Sequence, residues 1–216
     1  MAVPRSEPYI WVTWLSKLLV GEESCEWAAW FKAQHESYDK VPSSFNQAAW
    51  LMGHTALLGQ VRSALESSGH TVFTERQNKF TLKGRAATLG GQADLIGTSG
   101  RSGLILDAKT GTPKTSDHVQ VMIYMWAIPQ ALRQYQGVVF DGKVVYADHE
   151  VPIPASAVDE SFKTNLIKLI KQVSSSSPLR KVPSGMECGY CPIAKTECRD
   201  RIEEAGGGKV VEVSDF

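Results

Sequence analysis

The sequence predicts an α/β protein in which a mixed sheet is flanked by helices, and three observations carry that expectation. Helix-period apolar patterning fills the first third of the chain, strand-like apolar runs punctuated by glycine follow, and a further helical stretch separates these from a last group of strands. With 216 residues, 43% of them hydrophobic, the chain can bury one substantial core. Basic and acidic residues balance at 23 each, so contact with nucleic acid must come from a local patch, which argues against a passive DNA coat protein.

Taken in order, residues 10–20 and 24–36 read as helices separated by Gly21, and Pro42 with the Ser43-Ser44 pair offers a turn and a cap. The longest periodic stretch runs from Asn46 to about Ser67, with Leu51, His54, Leu58, Val61 and Leu65 on one face, and Gly69 ends it. Strands are expected over 70–77, 79–82, 91–97 and 103–109, then a helix over 117–134. A hairpin across Asp141-Gly142 is expected to join strands 137–140 and 143–147, because that dipeptide suits a primed turn. A helix over 156–173, a linker over 174–178, a cysteine cluster and a Gly-rich flexible tail over 206–216 complete the reading. The expected organisation is a single domain over 1–216, with a catalytic core over 46–173 and a helical subdomain formed by 1–45 and 174–205.

No apolar run is long enough to span a membrane; the closest, 10–20, is broken by Thr13, Ser16 and Lys17. The N-terminus lacks the layout of a secretory signal. A cytoplasmic location is expected, where clustered cysteines hold metal more often than they form disulfides.

The chemistry concentrates in QADLIGTSGRSGLILDAK, residues 92–109. Two apolar runs flank TSGRSG, and Gly100-Arg101 suits a two-residue turn. Positions 99 and 102 then face each other, and the ladder runs back to set Asp94 opposite Asp107, with Cβ atoms about 5 Å apart. Two carboxylates so placed repel unless a cation lies between them. Lys109 shares the face of Asp107, and the Ala108 carbonyl offers a further oxygen. Oxygen ligands of this kind suit Mg²⁺ or Mn²⁺. Such an ion polarises a phosphate and activates water, and Lys109 can orient that water or neutralise charge developing on phosphorus. A solvated surface hairpin would carry the same residues, and D-x-K alone does not decide between the two.

His54 points inward from the apolar face of its helix, as either a satisfied core residue or a metal ligand. Gln120 and Tyr124 lie four apart and share a side of their helix, where both can donate and accept hydrogen bonds. Glu75 ends a strand just before the hairpin, where it either supports the site or is solvated.

Taken together these residues resemble the RecB-like branch of the PD-(D/E)XK nucleases. That family orders a helix histidine, G-x-x-D, (D/E)-x-K and Q-x-x-x-Y; here they are His54, Gly91 to Asp94, Asp107 to Lys109, and Gln120 to Tyr124. No proline precedes Asp94, and the second acid is Asp107 where many members have Glu. The resemblance implies a restriction-endonuclease-like core. It further implies metal ligation by His54, Asp94 and Asp107, catalytic support from Lys109, and substrate positioning by Gln120 and Tyr124.

Cys188, Cys191 and Cys198 stand in MECGYCPIAKTECRD, and Cys25 lies far earlier. Four thiolates suit zinc or an iron–sulfur cluster, and ligand chemistry alone leaves both open. The layout, a lone N-terminal cysteine with C-x₂-C-x₆-C near the other end, resembles iron–sulfur nucleases such as the CRISPR-associated Cas-four family and AddB-type helicase–nucleases. That resemblance implies a 4Fe–4S cluster stapling the first helical segment to the last. It also implies an exonuclease acting on DNA ends or single-stranded overhangs in CRISPR spacer acquisition, with the CRISPR integrase complex as partner. A phage or repair nuclease, a non-catalytic DNA-binding module and a zinc-stapled structural protein are the alternatives. Candidate phosphate contacts are Lys114, Arg85 and Arg76, with Arg62, Arg180 and Lys181 behind them. Trp11, Trp14, Trp27 and Trp30 recur at helical spacing and are expected to pack the core and shield the cluster.

Overall fold

The computed structural model describes residues 1–42 and 46–203. Strand β1 (Val3–Pro4) is followed by β2 (Tyr9–Trp11), helix α1 (Val12–Leu19), helix α2 (Glu26–Gln34) and β3 (His35–Ser37). Helix α3 (Gln47–Ser67) leads into β4 (Thr71–Thr74), a 3₁₀ turn over Glu75–Asn78, β5 (Lys79–Lys83), β6 (Thr88–Gln92), β7 (Leu95–Ser99) and β8 (Ser102–Ala108). Helix α4 (Thr115–Ala131) then crosses to β9 (Val139–Val145). Strand β10 (Glu150–Ile153), α5 (Glu160–Val173) and α6 (Gly185–Tyr190) follow.

Five strands make the main sheet in the order β10-β9-β8-β7-β4, with β8 and β9 parallel and the other neighbours antiparallel. A parallel pair needs a crossover, and α4 supplies it. A second sheet pairs β2 parallel to β6 and β5 antiparallel to β6, and β1 pairs with β3. This is the α/β architecture the sequence predicts.

Side chains alternate across the main sheet, so its strands feed two cores. Leu95, Leu106 and Val145 pack with Leu65 of α3. Ile96, Ile105 and Val144 join Val121, Ile123 and Ile128 of α4 in the larger cluster. Ile10, Val12 and Leu15 from the N-terminal segment and Leu166 of α5 belong to that same cluster. The first helices are therefore built into the main core.

The turn at Gly100, with φ +62°, and the β7–β8 register, with Ser99 opposite Ser102 and Leu95 opposite Leu106, match the sequence reading. The second hairpin does not. Residues 139–145 form one continuous strand, Asp141 and Gly142 lie inside it, and the reversal comes after Val145, where β10 pairs back with Glu150 opposite Val145. Gly142 serves a close approach: a Cβ there would sit 2.5 Å from Val121 Cγ1 and 2.7 Å from Met125 Sδ, both on α4. Asp141 accepts the backbone N–H of Ala155 at 2.8 Å, which secures the segment after β10.

Three further boundaries move. The expected helix over 10–20 begins as strand β2, because residues 9–11 add to the edge of β6. The strand expected over 91–97 splits at Ala93-Asp94, where the chain leaves the small sheet for the main one. The strand expected over 70–77 gives way to the 3₁₀ turn at Glu75, a non-glycine residue with φ +25°. Helix α3 is capped by the Asn46 side chain, which accepts from Ala49 N–H at 3.0 Å. The Ser43-Ser44 cap and the tail over 206–216 lie outside the described residues.

The Gly142→Ala chain should lose about 1–3 kcal/mol of stability through overpacking against α4. Urea or thermal unfolding measures this, and parental stability would show that α4 can yield at that point.

Candidate active site

A buried carboxylate anchors the cleft. Asp107 is next to last in β8 and only 2% exposed, because its strand is covered on that face by α4. Gln120 on α4 donates from Nε2 to Asp107 Oδ1 at 3.0 Å and to the Tyr124 hydroxyl at 3.1 Å. Lys109 Nζ lies 2.7 Å from Asp107 Oδ2 and donates to Gln120 Oε1 at 3.3 Å. The lysine–Oδ2 contact is an ion pair without hydrogen-bond alignment, so that buried oxygen has no directed donor.

Asp94 sits at the switch between sheets, one step beyond the last ladder pair Leu95–Leu106, on the continuation of the register that sets it opposite Asp107. Its Oδ2 accepts the Ala108 N–H at 2.8 Å and lies 3.2 Å from His54 Nε2. The turn over Glu75–Asn78 fixes the backbone here: Glu75 N–H donates to Asp94 O at 2.9 Å, and fully buried Asn78 donates from Nδ2 to Phe73 O at 2.9 Å and Ala93 O at 3.3 Å. His54 is 5% exposed under the indole of Trp50, with ring centroids 4.7 Å apart and planes 21° from parallel.

His54, Asp94, Asp107, Ala108, Lys109, Gln120 and Tyr124 thus line one cleft, together with Glu75, Gln92, Trp11 and Trp50. Tyr124 is 2% exposed, and its hydroxyl accepts from Gln120, so it orients Gln120. The glycine at position 91 has a packing reason: a Cβ there would lie 2.7 Å from Phe80 and 2.9 Å from the Tyr124 ring. Of the expected DNA contacts, Arg76 is exposed in the turn beside Glu75. Lys114 is exposed at the N-cap of α4, and Arg85 lies in the β5–β6 turn, at the far end of those strands from Gln92.

Burial holds the Asp107 carboxyl up at about 6; the Lys109 ammonium opposes this and the Asp94 charge adds to it. Burial also works against the Lys109 charge, but Asp107, Asp117 and Asp94 together hold its pKa above the ordinary value. The hydrogen bond to Asp94 raises the His54 pKa, against burial. Burial raises the Tyr124 pKa.

Among the described residues, no three His, Cys, Asp or Glu side chains converge closely enough to hold a metal ion. In the cleft, His54 and Asp94 turn their polar atoms to each other, Asp94 also to Ala108, and Asp107 to Lys109 and Gln120. The donor set still fits a divalent cation, since Asp107 Oδ2 is buried without an aligned donor and shares the cleft with a second carboxylate and an imidazole.

The four cysteines, all free thiols, line a separate cavity. Cys25 caps α2, Cys188 lies in α6, Cys191 ends α6, and Cys198 follows. Both oxygens of Glu187 reach across, accepting Ser24 N–H at 3.0 Å and Cys25 N–H at 3.1 Å. Arg201, 9% exposed, donates from Nη1 to Cys191 O at 2.7 Å and Ile193 O at 2.8 Å. Lys32 lies 4.9 Å from the Trp14 ring centroid, and Lys181 4.3 Å from that of Trp27. Of the four tryptophans, Trp14 and Trp27 line this cavity and Trp30 donates to Ser175 O at 2.8 Å. Trp11 lines the carboxylate cleft instead, because β2 carries it there.

Sequence reasoning passed over Asn78, Asp117 and Glu187. Asp117 Oδ1 lies 3.9 Å from Lys109 Nζ, and its Oδ2 accepts the Tyr146 hydroxyl at 3.0 Å. Its spacing of three from Gln120 on one helix was the available signal. For Glu187 the signal was adjacency to Cys188; for Asn78 there was none.

The sequence profile of the PD-(D/E)XK nuclease superfamily matches residues 16–199. No curated protein matches the chain. Among solved structures, one described as "Crystal structure of SSO0001" is 20% identical to this chain, covering 87% of it and 84% of that chain, with a TM-score of 0.45. No helix among the described residues is long and apolar enough to cross a membrane.

The Asp107 carboxyl binds its proton more tightly in the native state than in the unfolded chain. Its contribution to stability is therefore full below the ordinary value of 3.8 and is lost as pH rises to about 6. With chelator present, the stability of the parent relative to Asp107→Asn should fall between pH 3.8 and about 6 and level off above that, as read from urea midpoints. A difference that does not move with pH would show that this carboxyl titrates normally.

Proposed function

The chain belongs to the PD-(D/E)XK nuclease superfamily, and from that premise we propose that it is a Mg²⁺- or Mn²⁺-dependent deoxyribonuclease trimming DNA ends or single-stranded overhangs. The observation that carries this reading is the Asp107 carboxylate, buried beside Lys109 with one oxygen lacking an aligned donor, in a cleft shared with Asp94 and His54. His54, Asp94, Asp107 and the Ala108 carbonyl oxygen would hold the cation, which when bound supplies Lewis-acid polarisation of a phosphate. Lys109 keeps its positive charge and faces the same space, so it neutralises charge developing on the phosphate oxygens. Gln120 fixes both Asp107 and Lys109, and Tyr124 fixes Gln120. Lys114 and Arg76 are the phosphate contacts we favour; Arg85 lies at the far end of β5 and β6 from the cleft.

We further infer a 4Fe–4S cluster on Cys25, Cys188, Cys191 and Cys198, a reading that rests on the spacing of the cysteines in the sequence. All four are free thiols on one cavity, and Lys32, Lys181 and Arg201 line it with them, where they would offset the charge of cluster-bound thiolates. Such a cluster would staple the first and last helical segments, around a catalytic core over 46–173. This cysteine layout, with the nuclease motifs between its halves, also supports a role in CRISPR spacer acquisition beside the CRISPR integrase complex, in the cytoplasm.

The Lys109→Ala chain should fold but lose about 10²–10³-fold in metal-dependent degradation of labelled DNA. Cleavage at the parental rate removes the mechanism, and an inert parent with Mg²⁺ and Mn²⁺ makes the chain a non-catalytic DNA-binding module. Anaerobically purified protein should absorb in the visible, and Cys191→Ser should lose that absorbance and melt several degrees lower, roughly as loss of a metal staple requires. A colourless protein with bound zinc would replace the cluster by a zinc site.

A further inference from the structure

Hydrolysis of a phosphodiester leaves a proton that some group must take from the attacking water, and the cleft offers few acceptors. Lys109 is an ammonium with no lone pair. Asp107 meets Gln120 at one oxygen, at 3.0 Å, and the Lys109 ammonium at the other, at 2.7 Å. Asp94 Oδ2 accepts the Ala108 N–H and adjoins His54 Nε2. The Tyr124 hydroxyl accepts from Gln120, and burial keeps it protonated.

Glu75 differs from all of these. It lines the same cleft, half-buried, in the turn between β4 and β5. The His54 pKa, raised first by the Asp94 hydrogen bond, is raised also by the Glu75 charge, so the two side chains are near each other. Among the described residues, the Glu75 carboxylate makes no hydrogen bond or ion pair. Its backbone carries a second mark: Glu75 is the only non-glycine residue with positive φ among those described, at +25°. A side chain is strained there, whereas glycine adopts positive φ freely. Two contacts hold the turn in that shape. Gln77 Oε1 accepts the Thr74 N–H at 3.0 Å, and Glu75 N–H donates to Asp94 O at 2.9 Å. A glutamate kept where glycine would be relaxed, and without a partner in the fold, has its reason in the cleft.

We propose that Glu75 is a catalytic residue, the carboxylate that accepts the proton of the attacking water. The proposal rests on the nuclease reading and deepens it. One water O–H bond breaks and its proton passes to a Glu75 carboxylate oxygen, while the water oxygen bonds to phosphorus. The bond from phosphorus to the leaving sugar oxygen breaks, its electron pair stays on that oxygen, and a solvent proton neutralises it. Lys109 meets charge on the phosphate and Glu75 takes the proton, so each does what the other cannot. Because the Glu75 N–H is bonded to Asp94 O, the proton acceptor is fixed to the strand end that carries a candidate metal carboxylate.

The test compares Glu75→Gln and Glu75→Gly with the parent, using the full chain and a labelled oligonucleotide in Mn²⁺. Both variants should lose about a hundredfold in kcat with KM near the parental value. Mn²⁺ affinity, read by electron paramagnetic resonance, and oligonucleotide binding in Ca²⁺ should stay parental in both. Added formate should restore part of kcat to Glu75→Gly, where the missing side chain leaves space for it, and none to Glu75→Gln. Without metal, Glu75→Gly should melt no lower than the parent, because glycine relieves the strained φ. Parental cleavage by both variants makes Glu75 a solvated surface residue and overturns the proposal while the nuclease assignment stands. Mn²⁺ affinity that falls together with kcat makes Glu75 a metal ligand instead, which also overturns it. If formate recovers nothing and Glu75→Gly melts well below the parent, the role is structural and the proposal fails. A parent that cleaves no DNA overturns both the proposal and the nuclease reading.

Discussion

Burying a carboxylate costs several kcal/mol unless charge and hydrogen bonds compensate it, and Asp107 is buried on the sheet face that α4 covers. What surrounds it follows from that cost. Lys109 comes from just past the end of the same strand and Gln120 from the crossover helix, while Asp94 stands just before the neighbouring strand. The compensation is incomplete, because one oxygen lacks an aligned donor and a second carboxylate adjoins it. A protein selected only for stability would replace such a group with an apolar residue of similar size. Its retention makes sense where the charge has work to do beyond folding.

The parts of this arrangement that were legible in the sequence are those set by local geometry. The tight turn at Gly100 fixes the β7–β8 register, and the four-residue spacing of Gln120 and Tyr124 fixes their common side. Asp141-Gly142 shows the opposite case. The dipeptide has the chemistry of a primed turn, but Val121 and Met125 of α4 press on the strand at that point and only a glycine leaves room. Tertiary packing overrode a local preference that was real in isolation. Asn78 was illegible, and Glu187 legible only as a neighbour of Cys188, for a related reason. Their side chains satisfy backbone groups 15 and 162 residues away in sequence, and no window of sequence contains both partners.

The two cysteine-bearing segments are joined by contacts of this long-range kind. Cys25 and the C-terminal group are held together by Glu187, by Trp27 N–H to Arg180 O at 3.0 Å, and by Val41 N–H to Pro192 O at 2.9 Å. Ile193, fully buried, packs with Trp27 and Phe31. Protein contacts therefore already bring the segments into register, and a cluster would tighten an existing junction. Because α1 shares the main core with α4, and Glu22 accepts the N–H of Ser116 at the start of α4 at 2.9 Å, order at this junction is mechanically continuous with the helix that carries Gln120.

The protonation state of Lys109 narrows what the cleft can do. Burial alone would lower its pKa, but Asp107, Asp117 and Asp94 outweigh burial and hold it above the ordinary value, so the side chain is an ammonium at neutral pH. An ammonium has three donors and no lone pair, so Lys109 cannot accept a proton from an attacking water. Gln120 takes one of its donors, and the ion pair with Asp107 crowds a second. The remaining direction can orient a water or meet a phosphate oxygen, and in either case its contribution is charge and position rather than proton transfer. Asp117, tied to Tyr146, belongs to this logic: it contributes to keeping the lysine charged without competing for the face that opens on the cleft.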